Sequence, residues 1–272
     1  MPRTAANKQV SNNEVLKENS QNVFSQQTAL TEDVQMITRG ILPNIPPTIT
    51  IKALQRKDKK KVLMSNTDDV LLSLLQSCII SPKDFNVYDL LPFESQYLLY
   101  RLRILTYGNE NTFKEICPFC GETNDITIDL NGIPILDIPD DFKLTFDISL
   151  PISGDVLTCK LLTEGELSKI RKESKDFTKN TGVEDLDRIW ESRIIAINGQ
   201  NKLAPIEISQ YLDEMADYDS EYFMEYYSKY SGNYGLQTKL NYICDKCDRK
   251  VESEMPGIAT FFRPEFKIDQ FK

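Results

Sequence analysis

The chain has 272 residues, of which 40% are hydrophobic and 27% are charged, as is usual for a globular protein. Its formal net charge is −9, which argues against a nucleic-acid-binding protein, because such proteins normally present a basic face. It contains no histidine, so it lacks the commonest general base and a frequent ligand of catalytic zinc. We therefore expect no enzyme, and the sequence shows neither a glycine-rich phosphate loop nor a nucleophile elbow.

Membrane insertion and secretion are also not expected. No run of about 18 apolar residues occurs, so no segment is predicted to span a bilayer. The first residues lack the apolar core of a signal peptide, which predicts a protein made in the cytoplasm. Cytoplasm keeps thiols reduced, so the six cysteines are not predicted to form three disulfides.

The N-terminal part of the chain begins with a polar segment and continues as an α+β region. Residues 1–35 are rich in Asn, Gln and Ser, and we predict a disordered or partner-ordered arm, with ordered structure beginning near Ile37. Residues 36–130 are predicted to form an N-terminal α+β region that ends with a first cysteine pair. Its predicted elements are a strand with Ile49, Ile51 and Ala53 buried, a charged turn at 56–61, a strand at 62–64, a helix from about 66 to 81, and a helix over 92–105.

Two Cys-x-x-Cys pairs are the most informative motif of the sequence. Cys117 and Cys120 stand between predicted strands, and Cys244 and Cys247 stand in the same kind of strand–turn–strand segment. Four thiolates supplied by two such turns complete a tetrahedral structural zinc site, so we predict a zinc ribbon with these four cysteines as ligands. The alternatives are two unrelated pairs of reduced thiols, or a redox motif, which would require a helix N-terminus beside one thiol.

The remaining cysteines and the segment between the two pairs give further predictions. Cys78 and Cys159 each lie alone in apolar stretches and are predicted to be buried thiols. Residues 131–239 are predicted to form a helix-rich insertion, and residues 240–272 to form the second knuckle and a C-terminal tail. The predicted elements of the insertion are strands at 142–148 and 156–162, a helix that begins at a Thr163–Glu166 capping box, a helix over 183–197, and a helix through Ile208 and Met215.

An acidic and aromatic stretch follows within this insertion. Between Glu207 and Tyr227 there are seven acidic residues, no basic residue and six aromatic residues. Aromatic side chains beside acidic ones are typical of a protein–protein contact surface. The alternative is that the aromatic residues belong to the core and the acidic residues to its solvated face.

Several short segments, taken in order, resemble one family. They are Arg39–Pro43, Asp89–Leu91, Leu102–Gly108, Cys117–Gly121, Ser192–Gly199 and Met255–Pro264. In this order they resemble the T4-type bacteriophage baseplate hub and hub-assembly proteins of contractile tails, over roughly residues 36–266. The resemblance implies a non-enzymatic structural or assembly protein of the virion tail baseplate, assembled in the host cytoplasm. It also implies an oligomeric assembly with other baseplate, hub or tail proteins, the tape-measure complex being a further candidate.

The sequence leaves two other functions open. A zinc-ribbon nucleic-acid-binding or transcription accessory protein would need a basic face near the knuckles. Lys246, Arg249 and Lys250 offer some positive charge there, but Asp245 and the acidic residues after it reduce it. A metal or thiol enzyme would need an open metal position, which four thiolate ligands do not leave. The sequence therefore predicts an α+β protein with small antiparallel sheets, a four-cysteine zinc ribbon and a structural role.

Overall fold

A computed structural model describes residues 29–42, 44–58, 68–181, 187–232 and 234–262. Several sequence predictions lie outside these ranges: the N-terminal arm as far as residue 28, most of the charged turn with the strand at 62–64, the first residues of the helix predicted from 183, and the tail beyond 262. Residue contacts divide the chain into the units Met1–Leu30 and Thr31–Lys272, and the second unit is the one described below.

The first sheet is antiparallel and consists of β1 (Thr31–Gln35), β2 (Thr48–Lys52) and β3 (Ile79–Ser81), in that order. Ile49 and Ile51 of β2 are fully buried, as predicted, but the strand ends at Lys52 and the predicted third residue, Ala53, is only half-buried. β1 lies inside the segment predicted to be an arm, so ordered structure starts before Ile37. The sequence did not predict this strand, because its residues are mostly polar and only Val34 is buried in the core. The strand is stabilised mainly by its antiparallel pairing with β2.

Two helices follow, α1 (Asp68–Cys78) and α2 (Pro92–Tyr107). α1 ends three residues before the predicted end at Ser81, because Ile79–Ser81 forms the strand β3 and pairs with β2. α2 begins with its proline in the first turn, as predicted. The residue that follows it, Gly108, has φ 86° and donates its N–H to the Ile104 carbonyl, a conformation that favours glycine.

β4 (Glu110–Ile116) and β5 (Thr123–Asp129) form the predicted hairpin around the first cysteine pair. The short strand β6 (Ile135–Leu136) comes next. A second antiparallel sheet has the order β7 (Thr145–Ser149), β8 (Val156–Lys160) and β9 (Ile194–Ile197).

Between β8 and β9 lie α3 (Glu164–Thr181) and α4 (Arg188–Arg193). The predicted capping box at the start of α3 is confirmed: the Thr163 N–H donates to Glu166 Oε2 at 2.9 Å, and the Glu166 N–H donates to Thr163 Oγ1 at 3.3 Å. The helix predicted over 183–197 is wrong at its C-terminal end, because α4 stops at Arg193 and Ile194–Ile197 becomes the strand β9.

The last part of the chain contains α5 and α6, a short strand, and a second hairpin. These elements are α5 (Pro205–Glu214), α6 (Asp217–Gly232), β10 (Gly235–Leu236), β11 (Lys239–Ile243), β12 (Lys250–Glu254) and α7 (Ile258–Phe261). β10 pairs with β6, and β11 pairs with β12 around the second cysteine pair. The helix predicted through Ile208 and Met215 is present as α5, but it ends at Glu214, and Met215 is its extended C-cap; Pro205 occupies its first turn.

One main hydrophobic core joins the N-terminal region to the predicted insertion. It contains side chains of β2, α1 and α2 together with Ile148, Leu157, Ile194, Phe223 and Tyr227 from the segment between the cysteine pairs. The lone thiols Cys78 and Cys159 are both fully buried in it, as predicted. Among the described residues, no helix combines the length and apolar character needed to cross a bilayer.

Candidate metal centre

The first cysteine pair lies in a tight loop that connects β4 to β5. Ile116 pairs with Thr123 at the base of the loop. The Cys117 N–H donates to the Glu122 carbonyl at 2.8 Å, and the Gly121 N–H donates to the Cys117 carbonyl at 2.9 Å. Gly121 has φ 73°. The loop therefore requires a left-handed backbone conformation at this position, which glycine adopts without steric strain because it has no Cβ atom.

The second pair lies in a loop with the same geometry. Ile243 pairs with Lys250 at its base. The Cys244 N–H donates to the Arg249 carbonyl at 3.0 Å, and the Asp248 N–H donates to the Cys244 carbonyl at 3.0 Å. Asp248 has φ 55° and occupies the position that Gly121 holds in the first loop, and aspartate is one of the few other residues that tolerate it. The two loops therefore share one backbone geometry.

The fold brings the four predicted cysteines together although 130 residues separate Cys117 from Cys247. All four Sγ atoms lie within 4.8 Å of one another. Cys117 Sγ is 3.8 Å from Cys247 Sγ, and Cys120 Sγ is 3.6 Å from Cys244 Sγ. A disulfide bond is about 2.05 Å long, so these sulfur atoms are not joined in pairs.

The same separations fit a single tetrahedral metal ion. Four sulfur ligands at the usual Zn–S distance of about 2.3 Å lie about 3.8 Å apart along the edges of a tetrahedron. Cys117 and Cys244 are buried, while Cys120 and Cys247 are half-buried. The chemistry of the donors also fits, because sulfur-only sets of this kind select zinc or iron–sulfur centres over hard cations such as magnesium. Four such ligands fill a tetrahedral ion and leave no position for substrate or water.

Contacts between the two hairpins keep the loops together. The Asp245 N–H donates to Asn124 Oδ1 at 2.9 Å, and Lys246 Nζ lies 2.8 Å from Glu122 Oε2. The Arg249 guanidinium lies over the Phe119 ring, 4.9 Å from its centroid. Two of the three basic residues that could have formed a nucleic-acid face are thus engaged by neighbouring side chains.

The protonation of the cysteines is uneven. The backbone N–H groups of Cys247 and Lys246 donate to the sulfur of Cys244 and lower the pKa of that thiol to about 6. The Glu122 N–H acts in the same direction on Cys120, but burial and the neighbouring thiols outweigh it and raise the pKa of Cys120. The loop backbone therefore favours thiolate at Cys244, and thiolate is the form of cysteine that binds metal.

Sequence reasoning missed two residues of this centre. Asn124 is almost fully buried and joins the hairpins through its side-chain oxygen. Tyr242 packs against the cysteines, and its buried hydroxyl has no hydrogen-bond partner within the described part of the chain. The signal for Tyr242 was its position two residues before Cys244, since alternate residues of a strand face the same side.

A comparison with known protein families now identifies the class of protein. Residues 34–263 match the family described as T4 bacteriophage base plate protein, and the chain belongs to this family. The resemblance to T4-type baseplate proteins is thereby confirmed, and the chain is a structural protein of the baseplate in the virion tail. Searches of curated proteins and of solved structures find no match.

Proposed function

We propose that this baseplate protein works in the hub region of the contractile tail as a structural or assembly component, through contacts with other tail proteins. We further propose that Cys117, Cys120, Cys244 and Cys247 bind one structural zinc ion and form a zinc ribbon. The observation that supports this most is the four-sulfur cluster, which joins two matching knuckles in a chain of a baseplate family.

In this proposal the metal ion has a structural and not a catalytic role. It would tie Cys117 to Cys247 and so close the whole segment between them, which includes the proposed insertion over 131–239. Closing a long loop costs conformational entropy, and a bound metal ion offsets that cost in the folded state. The proposed division into residues 36–130, 131–239 and 240–272 follows from the same closure.

A tyrosine-rich face of α6 supports a role in protein contacts. Phe223 and Tyr227 are buried, so part of the aromatic stretch belongs to the core. Tyr218, Tyr222 and Tyr226 are instead exposed by 61%, 36% and 40%. They follow one another at intervals of four residues, which places them along one side of the helix. Tyrosine is enriched at the energetic centres of protein interfaces.

The charge beside these tyrosines suggests the chemistry of the partner. Asp217, Glu221 and Glu225 are exposed and form a parallel row, one residue before each tyrosine. Lys229 is paired with Glu225 at 2.6 Å, which leaves the row acidic overall. A tail protein with an arginine- or lysine-rich surface would complement both rows, through ion pairs and through cation–π contacts with the rings.

The contact face can be tested with a double variant. Tyr218→Ser with Tyr222→Ser should weaken binding to co-purified tail proteins by about tenfold or more, because interface tyrosines often contribute about 2 kcal/mol or more. Phe177→Ser is the matched control, since Phe177 is also an exposed aromatic residue but lies on α3. Equal binding by the double variant and the control would contradict the assignment of this face.

The position in the hub needs a separate experiment. Gold-labelled antibody against this protein should mark the central axis of the baseplate in electron micrographs of assembled tails. Label confined to the baseplate periphery would contradict the hub position while leaving membership of the baseplate family unchanged.

A further inference from the structure

A cavity of about 510 Å³ lies away from the metal centre, between α1, α2, α3 and α6. This volume falls in the range of about 300–1,000 Å³ that is usual for ligand pockets. One part of its wall is formed by leucine side chains, namely Leu71, Leu72, Leu99, Leu161, Leu162 and Leu167, and the rest includes charged and polar residues. A ligand that fills it must therefore carry apolar groups.

Arg193 also lines this cavity, and its guanidinium contacts two aromatic rings whose planes are 79° apart. Its guanidinium carbon lies 4.0 Å from the centroid of the Trp190 ring and 4.2 Å from that of Tyr227. The buried Nε has no hydrogen-bond partner, and no carboxylate of the described ranges pairs with the guanidinium. Burial lowers the pKa of Arg193, because burial disfavours the charged form.

Contact with aromatic rings does not satisfy the hydrogen-bond donors of the guanidinium. The two rings are 79° apart, so they do not enclose the guanidinium from both faces. The N–H donors of arginine lie in the plane of the group, and the Nε donor among them has no hydrogen-bond partner in the described part of the chain. A carboxylate is the anion that matches this planar set of donors with two parallel hydrogen bonds. Arg171 and Glu164 also line the cavity, so its lining carries one net positive charge when Arg193 is included.

The remaining polar groups of the lining favour a peptide over a fatty acid. Gln96, Ser231 and Thr238 place amide and hydroxyl groups in the cavity, and such groups pair with the N–H and C=O groups of a peptide backbone. A hydrocarbon chain could form no hydrogen bonds with these groups, whereas a peptide backbone could. The baseplate family also places this chain among proteins whose neighbours are other proteins.

We propose that this cavity, which we call the Arg193 pocket, binds an apolar peptide segment of a partner protein through a carboxylate on that segment. Arg193 holds the carboxylate, Trp190 and Tyr227 hold Arg193 in position, and the leucine walls enclose the apolar side chains. The pocket is separate from the acidic face of α6, which takes a partner of the opposite charge.

Trp190 provides a direct measurement, because it is the single tryptophan of the chain and touches Arg193. The probes are acetyl-trileucine with a free C-terminal carboxylate, the same peptide as its amide, and decanoate. Titration of the full-length protein with the acid should change Trp190 fluorescence saturably. The acid should bind about ten- to hundredfold more tightly than the amide, which is what a charged hydrogen bond contributes.

Arg193→Met should remove the difference between acid and amide, while Arg188→Met should preserve it. Arg188 is the matched control, since it belongs to the same helix and pairs with Glu173 outside the pocket. The acid–amide comparison on the unmodified protein stands even where Arg193→Met does not fold. Absence of saturable binding, equal affinity for acid and amide, or binding of decanoate alone would each overturn the proposal.

Discussion

Glu94 at the start of α2 is a fully buried carboxyl group. Its Oε1 accepts hydrogen bonds from the N–H of Thr38 at 3.0 Å and from Thr38 Oγ1 at 2.6 Å. Its Oε2 has no partner among the described residues. Burial raises the pKa of Glu94 above its ordinary value of 4.5, and the bonds from Thr38 oppose this only in part. The side chain therefore keeps its proton to higher pH in the folded protein than in the unfolded chain.

This shift predicts a pH dependence of stability with a defined sign. The folded state binds more protons at Glu94 than the unfolded state, so its contribution is complete below pH 4.5 and is lost as the pH rises through the folded pKa. Glu94→Gln should remove the part of the decline in unfolding free energy that comes from the ionisation of Glu94. Urea unfolding of both proteins at several pH values from acid to neutral measures it, and Glu110→Gln, on an exposed residue, is the control. A parallel pH dependence in Glu94→Gln and the unmodified protein would contradict the prediction.

The clustering of the four cysteines is the feature of the site that the sequence predicted best. Two Cys-x-x-Cys pairs in matching hairpins were sufficient to predict that the four thiols meet, because this spacing places both thiols of a pair on one turn. The supporting residues Asn124 and Tyr242 could not be predicted in the same way. Their roles depend on how the two hairpins face each other, and no spacing within either hairpin encodes that.

Replacing a single ligand should release the metal. Cys244→Ser leaves three thiolates and an open position, so we expect bound zinc to fall well below one equivalent. Cys159→Ala is the matched control, because Cys159 is also a buried cysteine but lies in the main core. Metal analysis of both purified variants checks this. Retention of a full equivalent by Cys244→Ser would remove this cysteine from the ligand set.

At the scale of elements, the helix predicted over 183–197 shows how a short apolar run can be interpreted as helix when it forms a strand. Ile194 and Ile197 continue the helical spacing of Trp190 and Arg193, but the four-residue run Ile194–Ile197 also fits a buried strand. A short apolar run does not distinguish the two by its period. The sequence Asn198-Gly199 decides it, because both residues have positive φ, 51° and 77°, which is the conformation of a tight hairpin turn.

This turn gives a prediction for β9. Gly199→Ala should destabilise the protein by about 1–2 kcal/mol, since alanine in the left-handed region costs that much. No neighbouring atom would contact the added methyl group, so backbone conformation alone is tested. Gly132→Ala is the control: it too has open space and lacks a positive φ. Equal unfolding free energies for the two variants would contradict the assigned turn.

At the scale of the whole molecule, the main core and the two cysteine hairpins differ in how much apolar surface they bury. The main core joins side chains from both sides of the first cysteine pair, so most of it does not depend on the metal. The two hairpins have only a small cluster of their own, in which Val251 packs with the cysteines. The hairpins also contribute Ile128 and Leu240 to a second small cluster, which contains Tyr100 of α2. We therefore expect the hairpins to depend on the proposed zinc more than the main core does.

Chelation should therefore act locally before it acts globally. Removing zinc should raise the hydrogen-exchange rates of the amides in β4, β5, β11 and β12, while the amides of α2 and β8 keep their protection. Hydrogen exchange followed by mass spectrometry, with and without a chelator, resolves the two regions. Uniform loss of protection across both regions would contradict this prediction, because the metal would then stabilise the entire fold. Unchanged exchange in the hairpins would contradict it too, because the metal would then stabilise neither region.

The metal content of the purified full-length protein tests the central claim most directly. The two knuckles and their sulfur separations predict about one equivalent of zinc per chain, bound entirely by thiolate. Elemental analysis measures this value, with circular dichroism to establish that the sample is folded. A folded protein with less than about half an equivalent of zinc would contradict the ribbon.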